Sequence, residues 1–138
     1  MRGRSAVVAV LGEGAERFLT QAEQADMIEL RLDLIVSSDP LEMLKALRQA
    51  TAKPIIATVR HKSEGGLFQA SEAERSDLLI KAADYADYVD VELLAEIRDA
   101  VISGIGKPAI VSYHDFEAMP DDRKLAGIFS RMKQAGAA

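Results

Sequence analysis

The chain has 138 residues, 49% of them hydrophobic and 28% charged, a formal net charge of -5 and no cysteine. That is apolar material for one globular domain, and an acidic surface of interspersed sign repels a phosphate backbone, which argues against nucleic-acid binding. Without cysteine there are no disulfides or thiolate metal sites, and the expected compartment is the cytoplasm.

The charged start Met1-Arg2-Gly3-Arg4-Ser5 runs into an apolar stretch over 6–11, a pattern that imitates a leader. Interruption by Gly12-Glu13-Gly14 makes it a first strand instead, and no segment approaches the roughly 20 apolar residues of a membrane span, so no membrane partner is expected. A first helix follows over about 13–24, with Ala15, Phe18, Leu19 and Ala22 on one face. The second strand, 27–32, leads to Ser38-Asp39-Pro40, capping oxygens before a first-turn proline, and to a helix whose buried side is Leu41, Leu44, Ala46 and Leu47.

The third strand spans 54–60, and Ser71-Glu72-Ala73-Glu74 is a capping box for a helix that packs Leu78, Leu79 and Ala82 inward. A strand at 88–92 precedes a helix over about 94–103 that stops at Gly104. The last strand, 108–114, is followed by a helix that starts after Pro120 and runs through Leu125, Ile128, Phe129 and Met132 toward Gly136. Five alternations of short apolar run and helical stretch are the βα rhythm of a parallel sheet.

Side-chain parity then points to a site. Successive strand residues face opposite ways, so Met27, Glu29 and Arg31 share one face while Ile28, Leu30 and Leu32 take the other. Likewise Thr58 and Arg60 oppose Ala57 and Val59, Asp90 and Glu92 oppose Val89 and Val91, and Ser112 and His114 oppose Val111 and Tyr113. Ionisable groups at the ends of four consecutive strands fit a (β/α)8 barrel, whose chemistry converges at the strand carboxyl ends, better than a doubly wound sheet with one switch point. Gly12-Glu13-Gly14-Ala15 lacks the third glycine of a dinucleotide motif.

Each residue also has a plainer reading. Glu29 with Arg31 can be an ion pair inside the barrel, Asp90 and Glu92 can orient the arginines, and His114 before Asp115 can be a capping histidine. His61 reads as structural or solvent-facing, and Gly65-Gly66 as a turn with no Lys-Ser/Thr after it to suggest a phosphate loop.

The set Glu29-Leu30-Arg31-Leu32-Asp33, Thr58-Val59-Arg60 with Glu64-Gly65-Gly66, Asp90-Val91-Glu92-Leu93 and Ser112-Tyr113-His114-Asp115-Phe116, in that order, resembles type I 3-dehydroquinate dehydratase. The resemblance implies a carbon–oxygen lyase of the shikimate pathway that dehydrates 3-dehydroquinate to 3-dehydroshikimate, with no metal and no dissociable cofactor. In that family a strand lysine forms a Schiff base with the substrate ketone and a histidine takes the adjacent proton. His114 matches the histidine, Glu64 the carboxylate that orients it, and Glu29, Arg31 and Arg60 the groups that hold the hydroxylated ring, with Asp90 and Glu92 in support.

The chain stops at Ala138, before the strand that carries the family's lysine, the arginine for the substrate carboxylate and the Ser/Gln lid. A whole barrel takes about 250 residues, or roughly 200 in compact versions. Residues 1–138 are therefore expected to form a single, incomplete barrel domain of about five βα units, inactive alone and prone to associate through open sheet edges, with a homodimer as the expected assembly. Lys62 is the one lysine near the predicted site, in a loop. Two functions stay open: the dehydratase, and a truncated, non-catalytic barrel fragment serving as a binding or scaffold protein.

Overall fold

The computed structural model describes residues 4–138, and residues 1–3, with the start of the leader-like pattern, lie outside the described residues. Strands β1 (Val8–Leu11), β2 (Met27–Arg31), β3 (Ile55–Thr58), β4 (Tyr88–Glu92) and β5 (Ala109–Ser112) form one parallel sheet in the order β1-β2-β3-β4-β5. A consecutive order has no reversal and so no switch point, as in a barrel wall. Among the described residues no helix is long and apolar enough to cross a membrane.

Register carries the parity from strand to strand. Arg31 pairs with Thr58 and Thr58 with Asp90, while Glu92 pairs with Ser112, so the polar side chains form rows on one face of the sheet. On the other face Ile28, Leu30, Ala57, Val59, Val89 and Val91 are buried against Leu44, Leu47, Leu79, Ala82 and Val101 of the helices. Each such aliphatic side chain stabilises the fold by about 1.5–3 kcal/mol, so this layer is the main source of stability.

The helices are α1 (Leu19–Ala22), α2 (Pro40–Ala50), α3 (Glu72–Ala82), α4 (Arg98–Ile105) and α5 (Asp122–Gln134). Asp39 caps α2 by accepting from Leu41 N at 2.8 Å, with Pro40 in the first turn, and Ser71 and Glu74 close the expected capping box of α3. Arg48 ties the end of α2 to β3 and β4: it donates to Thr51 O and Lys53 O at 2.7 and 2.9 Å and to Asp87 Oδ2, which also accepts from Ile55 N.

Three helical expectations are corrected. The first helix is a 3-10 turn, Ala15–Phe18, followed by the single turn α1, and Phe18 is exposed. Glu13 is no helix residue, because its carboxylate accepts from Val36 N at 2.7 Å and from Ser37, pinning the loop after β2. Ala46 is exposed, since two positions past Leu44 the 3.6-residue period has turned to the far side of α2. The fourth helix begins at Arg98 and ends at Gly106, in the left-handed region at φ 59, whereas Gly104 lies within it. A Cβ on Gly104 would stand 2.9 Å from Ile80 Cδ1, so that glycine serves the close approach of α3 and α4.

After α5 the chain turns at Gly136 and Ala137 bridges Ala109 in parallel, with Ala138 N donating to Ala109 O at 2.8 Å. The outer edge of β5, expected to be open, is thus partly occupied. Leu79 is fully buried between sheet and helices. Leu79→Ala is expected to lower the unfolding free energy by about 2–5 kcal/mol, read as a fall in the urea midpoint at unchanged slope.

Candidate active site

The polar rows meet around Arg60, which is only 5% exposed two residues beyond the end of β3. Its Nη1 donates to Asp90 Oδ1 at 2.7 Å, Glu92 Oε1 at 3.2 Å and Ser112 Oγ at 2.7 Å. Burial opposes the arginine's charge, but the carboxylates of Asp90, Glu92 and Glu29 together outweigh this and hold the guanidinium above its ordinary pKa. Glu29, one row earlier, accepts from Thr58 Oγ1 at 2.7 Å.

Glu92 is itself 1% exposed, and its second oxygen accepts from Arg75 Nη1 at 2.8 Å. Arg75 is completely buried on α3 and also donates to Val59 O at 2.9 Å and, through Nε and Nη2, to Glu72 at 2.7 and 3.0 Å. Desolvation works to raise the Glu92 carboxyl, and the His61 N–H and the Arg75 guanidinium together bring it below the usual carboxylate range. Asp33 behaves alike. Burial pushes its carboxyl up, and two 2.8 Å bonds from Arg31 with donors from Leu67 N and Arg60 N pull it down.

Beyond Arg60 a 3-10 turn, Lys62–Glu64, ends on Gly65 at φ 88. Gly66 N donates to His61 O at 3.0 Å, and a Cβ on Gly66 would fall 1.8 Å from Arg60 O, so no other residue fits this closure. The pair Gly65-Gly66 is the turn that the sequence suggested. It aims Glu64, 7% exposed, so that Oε1 accepts from His114 N at 2.7 Å and stands 3.1 Å from His114 Nδ1. Phe116 stacks on the His114 ring with centroids 6.4 Å apart.

Beside this pair lies a cavity of about 430 Å³, lined by His61, Glu64, Glu92, Tyr113 and His114 among others. Its size suits a small metabolite. Among the described residues no group of His, Asp and Glu is placed to hold a metal ion.

A family model described as Type I 3-dehydroquinase matches residues 7–138. The chain belongs to the type I 3-dehydroquinase family. It is 42% identical over 134 residues to the 3-dehydroquinate dehydratase of Methanothrix thermoacetophila, a match covering 96% of this chain and 57% of that protein. It is 38% identical over 116 residues to the 3-dehydroquinate dehydratase of Methanocella arvoryzae, with coverage of 82% and 52%. The solved 3-dehydroquinate dehydratase of Aquifex aeolicus superposes with a TM-score of 0.81 at 26% identity, over 95% of this chain and 64% of that one. The five βα units thus have the barrel-type α/β fold of the type I 3-dehydroquinases, and the chain spans little more than half the length of these curated relatives.

Most of the sequence-derived residues are brought together. Arg60, Asp90 and Glu92 form one network and Glu64 meets His114. The Glu29–Arg31 ion pair is not formed, because Arg31 turns to Asp33, two residues on and free to offer a bidentate carboxylate. Arg75 went unread, although its place on the buried stripe with Leu79 and Ala82 is the signal that could have shown it.

Asp33 and Glu92 set an acid limit. Their unfolded carboxyls titrate at about 3.9 and 4.3 and their folded ones lower, so their stabilisation is complete above the unfolded values and is lost as pH falls from there through the folded ones. Arg75→Met, which strips Glu92 of one of its two cations, is expected to cost about 3–5 kcal/mol at neutral pH in urea unfolding, and the loss should shrink as pH falls and the Glu92 of the variant, left with burial and less cation, protonates before that of the parent.

Proposed function

We propose that the chain carries the proton-transfer and ring-binding half of a 3-dehydroquinate dehydratase active site, which acts through a lysine imine. The observation that carries the reading is the Glu64–His114 contact at the end of β5, beside the arginine network and the cavity. In this reading His114 is the base. Glu64 fixes its tautomer, so that Nδ1–H faces the carboxylate and Nε2 is left to take the proton next to the substrate carbonyl carbon. The same ring then returns that proton to the departing hydroxyl, which leaves as water. A neutral ketone would make this proton weakly acidic, and an iminium formed from amine and ketone with loss of water supplies the electron sink.

Glu29, Arg31 and Arg60 bind the hydroxylated ring. Every side-chain contact of Arg60 runs through Nη1, and Nη2 has no acceptor among the described residues, which leaves it to the ligand. Asp90 and Glu92 aim the guanidinium rather than act on substrate. The lysines of this chain do not suit the imine: Lys45, Lys81, Lys124 and Lys133 lie on helices, Lys53 and Lys107 precede strands, and Lys62 is exposed in the turn after β3. An exposed loop amine lacks the burial that would favour its neutral, nucleophilic form.

Titration of 3-dehydroquinate into the chain should perturb the NMR signals of Arg60 and His114. The response should weaken about 10- to 100-fold in apparent affinity in Arg60→Ala, through loss of a charge-assisted hydrogen bond, and persist in His114→Ala. Unperturbed signals would overturn the reading. The chain alone should form no conjugated enone product and yield no borohydride-trapped adduct, and turnover would refute that expectation.

For assembly we infer self-association through the edge of β1, where Val8, Val10 and Phe18 are exposed beside backbone that pairs only with β2 among the described residues. Light scattering should show a mass that rises with concentration toward a dimer, and a constant monomer mass would refute this.

A further inference from the structure

The turn that delivers Glu64 is started by a histidine, and a histidine can lose that role to a proton. His61 is the N-cap of the Lys62–Glu64 turn: its Nδ1 accepts from Ser63 N at 3.1 Å and lies 2.7 Å from Ser63 Oγ. A backbone amide can only donate, so Nδ1 keeps its lone pair and the proton of the neutral ring sits on Nε2. That nitrogen faces Glu72 Oε1, at the start of α3, at 3.7 Å.

Charged groups from several elements gather near the ring. Glu64 from its own turn, Glu92 from β4, Glu96 from the loop after β4 and His114 from the end of β5 line the same cavity as Glu72. Arg75 neutralises part of this charge by holding both Glu72 and Glu92, and Lys62 is exposed on the turn. Glu72 faces Nε2 and can pair with an imidazolium, whereas the cap requires Nδ1 without hydrogen. A proton on Nδ1 turns an acceptor into a second donor aimed at Ser63 N–H. The ring is then drawn to Glu72, and the amide that opens the turn loses its partner.

We propose that His61 is a positioning residue for the Glu64–His114 pair, holding the turn that carries Glu64 only while its own ring is neutral. Its functional meaning rests on the dehydratase reading, in which the base is oriented only above the pH at which His61 gives up its proton. The coupling itself is physical and needs no turnover. Its reporter is the backbone N–H of His114, which donates to Glu64 Oε1 at 2.7 Å.

The chain has only two histidines, so both rings can be followed separately by NMR in the unmodified protein. Protection of the His114 amide against hydrogen exchange, corrected for the intrinsic rate, is expected to fall about fivefold as His61 takes its proton, the change that loss of a helix or turn cap typically brings. The fall should follow the His61 ring midpoint, while the Val89 and Val91 amides of β4 stay constant. His61→Phe, a ring without an acceptor, should show the lower protection at every pH. His61→Asn, whose Oδ1 caps at any pH, should restore protection and erase the step.

A His114 amide indifferent to His61 titration, an Asn variant as unprotected as the Phe variant, or a loss shared equally by β4 would each overturn the proposal. The wild-type titration decides even if a variant does not fold. Coupling without 3-dehydroquinate binding would defeat the dehydratase reading alone, and binding without coupling would defeat this one alone.

Discussion

The carboxylate of Glu92 is the group on which the site depends. At 1% exposure it stays ionised only because protein donors replace water, and these come from three places: Arg75 on α3, Arg60 beyond β3 and the backbone N–H of His61. One buried charge thereby joins β4 to the helix behind it and to the loop beside it. Arg60 cannot point elsewhere without taking a cation from both Asp90 and Glu92, and the turn holding Glu64 starts from a residue whose amide is already bonded to Glu92.

Stability and geometry come from opposite faces of the same sheet. The Ile28, Leu30, Val59, Val89 and Val91 face buries aliphatic surface against α2, α3 and α4, at about 1.5–3 kcal/mol per side chain. The polar face offers no comparable return, since a buried ion pair recovers little more than its own desolvation. What it offers is direction. Asp33, with four donors shared between Arg31, Arg60 N and Leu67 N, links the end of β2 to both ends of the loop after β3, a bracing that apolar contacts could not confine to one register.

Parity made much of this legible beforehand. Alternation along four strands placed Glu29, Arg31, Arg60, Asp90, Glu92 and His114 on one face, because the strand period of two is insensitive to errors of a residue or two at strand ends. Arg60 lies beyond β3, yet its bonds to Asp90 and Ser112 keep it on the side that the alternation assigned. Helices were less forgiving. Gly104 read as a stop, yet it is a packing glycine against Ile80, a role settled by a neighbour distant in sequence. Arg75 escaped notice because an arginine on an apolar stripe looks like an exception until its partner Glu92 is known, and the Arg31–Asp33 pairing depended on a 3-10 turn that periodicity does not show.

The division between strand-borne and loop-borne groups also has a chemical logic. The arginines that would bind a ring are held at the strand ends by buried acceptors. His114, its side chain 34% exposed, sits past the end of β5 against a carboxylate delivered by a tight turn. A base must exchange its proton with solvent between cycles, which full burial would prevent, yet it must hold one tautomer while it works. With the imidazole at the open rim and its buried carboxylate partner on a tight turn, the proposed base would meet both demands.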